Sequence, residues 1–197
     1  MKNRFIYFIT ILAATLASCS ESFIERPSLS GLTVSNYYNT ADEVRAATST
    51  IYSGLAWSGY EARALDCIGE IMAGNEHTYN GDDTPFQELT VSATSVRLSD
   101  SWKAFYKVNG WTSALIATFE QKKAAGGDAT ILDPAIAECH FLRGTVYFYI
   151  ARIWGHAPIV TDPGAIALTG DFRIPRYFQE DVLRFALEEL QLAEAGL

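Results

Sequence analysis

Basic residues are scarce in this 197-residue chain: 15 Lys plus Arg stand against 23 Asp plus Glu, for a formal net charge of −8. Proteins that grip nucleic acid neutralise phosphates with clustered Lys and Arg, so this balance excludes that class. Cysteine is scarcer still. There are three, with no CxxC pair and no Cys/His spacing suited to zinc. Long apolar runs are also lacking: the one candidate, residues 5–17, has thirteen residues, fewer than the ~20 a helix needs to cross a ~30 Å hydrocarbon core. Aromatics, by contrast, are plentiful. Four Trp, ten Tyr and eleven Phe make 13% of the chain, more than core packing needs, and surface rings often serve ligand or partner binding. With 49% hydrophobic residues and a mean hydropathy of +0.05, the composition fits one or two globular domains and excludes disorder and fibrous repeats.

The first residues set the compartment. Lys2 and Arg4 precede the apolar run, and Leu16-Ala17-Ser18-Cys19 follows it, the order of a signal peptide with small residues at its cleavage point. Leu-Ala-Ser-Cys resembles the lipobox of bacterial lipoproteins, which implies that residues 1–18 are removed and that Cys19 takes a diacylglyceryl group and then an N-acyl chain. Two or three acyl chains hold a protein at a membrane where one binds only reversibly. The expected product is anchored through Cys19 to outer-membrane lipid and does not span. Its net charge is more negative than the precursor's, since cleavage removes Lys2 and Arg4 and no acid. Cys67 and Cys139 then remain, and two cysteines carry no framework pattern; burial as small apolar residues is the simpler expectation, with a disulfide as the alternative.

Residues 19–35 are Ser-rich, contain Pro27 and Gly31 and show no periodicity, which suits a lipidated tether. The body is expected over 36–197. Thr40-Ala-Asp-Glu43 is a capping box, and Val44, Ala47, Ile51 and Leu55 keep helical spacing over 41–56. A weaker helix over 62–73 has Leu65, Ile68 and Met72 on one face and closes at Gly74. Residues 74–97 are turn-rich and read as a long excursion in which only 88–91 suits an extended segment. A helix over 100–124 carries Phe105, Val108, Thr112, Leu115 and Phe119 in register. Another starts at an Asp133 N-cap with Pro134 at its first position and ends at Gly155. That helix is apolar on nearly every side and should be central. An extended connection over 156–170 and a last helix over 179–195 complete an all-α reading, with tetratricopeptide-like helix pairs and long irregular loops.

The segment from Ala137 through Glu138, Phe141-Leu142-Arg143, Tyr147-Phe148, Arg152, Trp154-Gly155 and Pro158-Ile159-Val160 resembles the hallmark helix and turn of the SusD/RagB family of Bacteroidetes outer-membrane lipoproteins. The start at Asn36 to Glu43, the Trp102 to Asn109 helix and the Arg176-led last helix follow the family order. His156, Phe178 and Glu189 depart from it: an acid or Asn, a capping Ser or Thr, and an Asp are usual there. Family members are considerably longer, so the chain reads as the N-terminal portion of such a protein.

This resemblance implies a surface lipoprotein that holds oligosaccharide or peptide and delivers it to a partner SusC-like TonB-dependent transporter without breaking a bond. Sugar recognition calls for exposed rings beside hydrogen-bonding side chains, which points to Tyr79, Asn80, Asp82, Asp83 and Phe86 on the excursion, and to Trp57 at a helix end. The competing reading makes Tyr79 and Phe86 pins that hold the loop to the helices. Trp102, Trp111 and Trp154 are expected in the core.

Catalysis is disfavoured. Asp82-Asp83 and Glu188-Glu189 are adjacent pairs that do not converge on one bond and read as charge decoration, while the three His have no Ser or Cys motif beside them. Glu76, Asp82 and Asp83 lack the spacing of a Ca²⁺ loop, so neither metal nor cofactor is expected. A rival function is a periplasmic helical-repeat lipoprotein that scaffolds envelope assembly.

Overall fold

The computed structural model describes residues 33, 36–53 and 61–197. The signal segment, Cys19, nearly all of the tether, Leu55 and Trp57 lie outside the described residues. In residues 1–36, the described part is a single turn, in which the Thr33 backbone N–H donates to Asn36 Oδ1 at 2.7 Å and the Asn36 N–H to the Thr33 carbonyl at 3.2 Å.

From Tyr37 onward the described residues are mostly helical. α1 spans Ala41–Ser49. Its capping box forms as the residues require: Glu43 N–H donates to Thr40 Oγ1 at 3.3 Å, and Glu43 Oε2 takes the Thr40 N–H at 3.1 Å and the Asn39 N–H at 2.7 Å. The α-helix is shorter than its periodicity suggested, because residues 50–53 tighten into successive i→i−3 turns. Val44 and Ile51 still reach the core.

α2, Glu61–Ile71, is wound as a π-helix. Its wider turn, with Met72 N–H reaching the Cys67 carbonyl five residues back, rotates the buried face. Cys67 and Ile71 are buried, Leu65 and Ile68 are half-buried, and Met72, expected inside, is exposed. Gly74, at φ 76°, closes the segment.

α3, Thr84–Gln87, is a single turn inside the excursion, and no strand forms over 88–91. α4 runs from Val96 to Ala124, four residues earlier than its apolar register alone indicated. Its buried face includes Phe105, Val108, Thr112 and Phe119.

α5, Ala129–Trp154, begins at an Asp128 N-cap instead of Asp133; Asp128 Oδ1 accepts the Thr130 N–H at 2.9 Å. Pro134 therefore sits inside the helix, near its start, where it removes one backbone donor. Gly155, at φ 74°, ends it. As expected, α5 is central: it packs against α1, α4 and α7, which runs over Gln179–Gly196. Gly144 allows α7 to approach α5 closely. A Cβ there would come within 2.9 Å of Leu190 Cγ and 3.1 Å of the Ala186 carbonyl.

The connection after α5 is more regular than its prolines suggested. Ala157–Pro158 forms β1, paired antiparallel with β2, Arg176–Tyr177, and Pro163–Thr169 forms α6 behind an Asp162 cap. Side chains of α4 and α5 hold this turn by its backbone. Tyr106 Oη donates to the Pro158 carbonyl at 2.7 Å, Asn109 Nδ2 to the Val160 carbonyl at 2.9 Å, and the Val160 N–H donates to Tyr147 Oη at 2.7 Å. Trp102 and Trp154 meet edge to face, 5.1 Å between centroids, and pack with Trp111 against the core.

Glu189 corrects the reading of Glu188-Glu189 as surface charge. Glu189 is buried, and the Arg143 guanidinium grips its two oxygens through Nε at 2.7 Å and Nη2 at 2.8 Å while His140 Nδ1 lies 2.8 Å away. Burial pushes the carboxyl pKa up, but hydrogen bonds from His140 and Arg143 outweigh it and hold Glu189 below the ordinary glutamate value. Cys67 and Cys139 are buried free thiols, so the disulfide alternative fails. Burial is the leading cause that pushes their pKa values up to about 11 and about 12.

Candidate functional site

The excursion between α2 and α4 is a braced loop. Its anchor is Phe86, which is 1% exposed and packs with Cys67 and Ile71, with Ile68, Val91 and Leu98 around them. This corrects the expectation that Phe86 offers a surface ring: the turn of α3 directs it inward. Asp83 is likewise buried and committed. Arg97, at the start of α4, donates from Nε to Asp83 Oδ1 at 2.5 Å, and this hydrogen bond is the main cause that raises the guanidinium pKa. The same guanidinium lies 3.6 Å from Asp82, whose side chain is half exposed.

The tip of the loop has its own framework. Thr78 N–H donates to Gln87 Oε1 at 2.9 Å, Asn80 N–H to Thr78 Oγ1 at 3.0 Å, and Asp82 N–H to Asn80 Oδ1 at 2.9 Å, an Asx turn. Tyr79 projects from this frame and is 97% exposed. The His77 ring flanks it, 4.8 Å away between centroids and tilted by 49°. Residues i and i+2 of an extended stretch share a side, which brings the two rings together.

Of the sequence-derived candidates, the structure thus brings Tyr79, Asn80 and Asp82 to one exposed tip and turns Asp83 and Phe86 into its supports. Trp57 lies outside the described residues. Sequence reasoning missed His77, Gln87 and Arg97. The i,i+2 spacing of His77 and Tyr79 was a usable signal, whereas Arg97 lies fourteen residues from Asp83 and gave none.

A concavity of about 490 Å³ lies between α1 and α5, with Tyr52, Glu138 and Phe141 among its walls. There Tyr52 Oη donates to Glu138 Oε1 at 2.9 Å; burial first, then this bond, push the phenol pKa up. Among the described residues no cluster of three or more His, Cys, Asp or Glu is placed to hold a metal ion, and no helix is long and apolar enough to cross a membrane.

No protein-family model matches the chain. A SusD-like protein of Bacteroides ovatus is 29% identical over 198 residues, an alignment that covers all of this chain and 35% of that protein. SusD-like protein P25 of Formosa agariphila is 26% identical, covering all of this chain and 38% of its own length. Over its full length the chain is similar to SusD-like proteins. It spans little more than a third of the length of these curated relatives.

Solved structures agree. A protein crystallised with a xylogluco-oligosaccharide superposes with a TM-score of 0.68 and 28% identity, covering 78% of this chain and 30% of the other. A SusD superfamily protein from Bacteroides vulgatus reaches the same TM-score at 18% identity, over 82% of this chain and 35% of its own, and bears on the fold alone. The SusD-like fold is therefore the all-α, tetratricopeptide-like one expected from the sequence.

Proposed function

We propose that the chain is the N-terminal part, body 36–197, of a SusD-like glycan-binding lipoprotein that holds an oligosaccharide at the cell surface and passes it to a TonB-dependent transporter. The observation that carries this reading is the Tyr79 tip, a fully exposed ring on a loop fixed at both ends, in a chain 28% identical to a protein crystallised with a xylogluco-oligosaccharide. The ring offers its face to the C–H side of a pyranose, and Asn80 and Asp82 stand beside it to bond hydroxyls. Because Phe86 and the Arg97–Asp83 pair fix the loop before a ligand arrives, binding does not have to order it.

The role is binding, not catalysis. Neither pair of adjacent carboxylates is free to act together on one bond: Asp82 and Asp83 both face the Arg97 guanidinium, and Glu189 turns inward to Arg143 while Glu188 faces solvent. A lipidated Cys19, with residues 1–18 removed and 19–35 as tether, would keep the body at the outer membrane. Peptide remains the alternative cargo and a periplasmic scaffold the alternative role. Calorimetric titration of the full chain with a xylogluco-oligosaccharide tests the proposal, with Tyr79→Ala expected to weaken binding by about tenfold or more.

A further inference from the structure

Two asparagines of the chain precede glycine: Asn80-Gly81 at the loop tip and Asn109-Gly110 within α4. An Asn-Gly pair can react with itself, because glycine leaves its own backbone nitrogen unshielded and lets the chain bend toward the carboxamide before it. The fold treats the two pairs in opposite ways.

At the tip the reacting groups are within reach of one another and of solvent. Asn80 and Gly81 are both exposed. Among the described residues nothing accepts the Gly81 N–H, so the nitrogen that would attack is not engaged. Asn80 Oδ1 accepts the Asp82 N–H at 2.9 Å, a donor aimed at the oxygen on which negative charge grows when the carboxamide carbon is attacked. The turn itself does not call for glycine at 81: its φ lies outside the left-handed region, and a Cβ there would meet nothing within 4 Å.

In α4 each condition is reversed. Asn109 is 1% exposed, and its Nδ2, the leaving group, is held by the Val160 carbonyl at 2.9 Å. Its Oδ1 accepts no hydrogen bond from the described residues. Gly110 lies mid-helix, where each N–H is spent on the carbonyl four residues back.

We infer that Asn80-Gly81 is a self-modification site, at which the tip deamidates spontaneously while Asn109-Gly110 is protected by the fold. The Gly81 nitrogen gives its proton to water and bonds to Asn80 Cγ. The Cγ–Nδ2 bond breaks, and ammonia leaves with a proton from solvent, closing a cyclic imide. Water, the one co-reactant, then opens the ring at either carbonyl. Opening at Cγ leaves aspartate at position 80; opening at the former main-chain carbonyl leaves isoaspartate. No group is oxidised or reduced.

Both products place a new negative charge next to Tyr79. Isoaspartate also reroutes the main chain through the former side chain, so the Asn80 carbonyl leaves it. In the unmodified loop that carbonyl accepts the Asp83 N–H, the Thr84 N–H and Thr84 Oγ1 at 3.0 Å each, so rerouting disturbs the start of α3 and the frame beneath Tyr79. The inference goes beyond the glycan-binding reading and does not depend on it.

Peptide mapping by mass spectrometry of the folded full chain, aged in mildly alkaline buffer, tests this. The peptide that contains Asn80 should lose its carboxamide to two products of equal mass that separate by chromatography, while the Asn109 peptide keeps its own. Gly81→Ala, which the open space around Gly81 accommodates, should suppress the loss at Asn80. Ageing in guanidinium should make Asn109 react as well, because unfolding removes its protection. An Asn80 carboxamide that lasts as long as that of Asn109 in the folded chain, or that is lost as fast in Gly81→Ala as in wild type, would overturn the inference. Since the readout is mass and not ligand binding, either result would leave the glycan reading standing.

Discussion

His156 Nδ1 accepts the backbone N–H of Gln179 at 2.9 Å, so the first turn of α7 is capped by a residue twenty-three positions upstream. Two departures from the family pattern thereby explain each other. Phe178 stands where a capping Ser or Thr is usual and offers no side-chain cap, while His156 stands in place of an acid or Asn and supplies one. Phe178 packs edge-on against the same imidazole, 5.2 Å between centroids, and Gln179 Nε2 donates to the Ala151 carbonyl at 2.9 Å. His156→Ala should lower stability by about 1 kcal/mol, the usual worth of an N-cap. Phe178→Ser in that background should recover part of the loss. The midpoint and slope of urea unfolding for the two variants check this.

The Arg143–Glu189 pair should behave as a buried ion pair with hydrogen-bonded partners on α4 and α5, since Arg143 Nη1 also donates to Ser113 at 3.2 Å. Removing one partner strands a buried charge, so Arg143→Met alone should cost about 3–5 kcal/mol, and Arg143→Met/Glu189→Met considerably less. A double-mutant cycle by denaturant unfolding measures the coupling.

Glu189 also gives stability a pH dependence of known sign. Its folded pKa lies below the ordinary glutamate value, so the unfolded chain binds the proton more readily. The contribution of Glu189 is complete above that ordinary value, and it is lost as pH falls through the folded pKa. Comparing wild type with the double Met variant from pH 7 down to pH 3 should show wild type losing the larger share of its stability at the acid end.

Cys67 and Cys139 should be inert toward thiol reagents at neutral pH, because burial keeps both in the protonated form. Reaction with an aromatic disulfide, followed by mass spectrometry of the two cysteine-bearing peptides, should label neither in the native protein and both in urea.

The lipoprotein reading predicts a mature N-terminus at Cys19 carrying diacylglyceryl and acyl groups. It also predicts that protease added to intact cells degrades the body. Peptide mass of the N-terminus and surface proteolysis test these two points separately, and a lipidated body protected until the cells are opened would favour the periplasmic scaffold instead.

Local chemistry made much of the fold legible. The Thr40 capping box, the central position of α5 and the stops at Gly74 and Gly155 follow from side chains and φ values within a few residues. What escaped was set at longer range. Asp133 and Pro134 looked like a helix start until Asp128 offered an earlier cap, and the π-winding of α2 moved burial from Met72 to Cys67 and Ile71. At the candidate site the same division holds. The turn formers marked the loop, but which rings faced outward depended on Phe86 finding the α2 face and on Arg97 reaching Asp83, contacts invisible to a pattern of neighbours.

The central claim is that Tyr79 is a glycan platform, and calorimetry of the full chain with a neutral xylogluco-oligosaccharide tests it most directly. Loss of a stacked ring costs about 1–1.5 kcal/mol or more, so Tyr79→Ala should weaken binding by about tenfold or greater. Its unfolding midpoint should stay unchanged, since the ring is 97% exposed. Equal affinity in wild type and Tyr79→Ala would contradict the account.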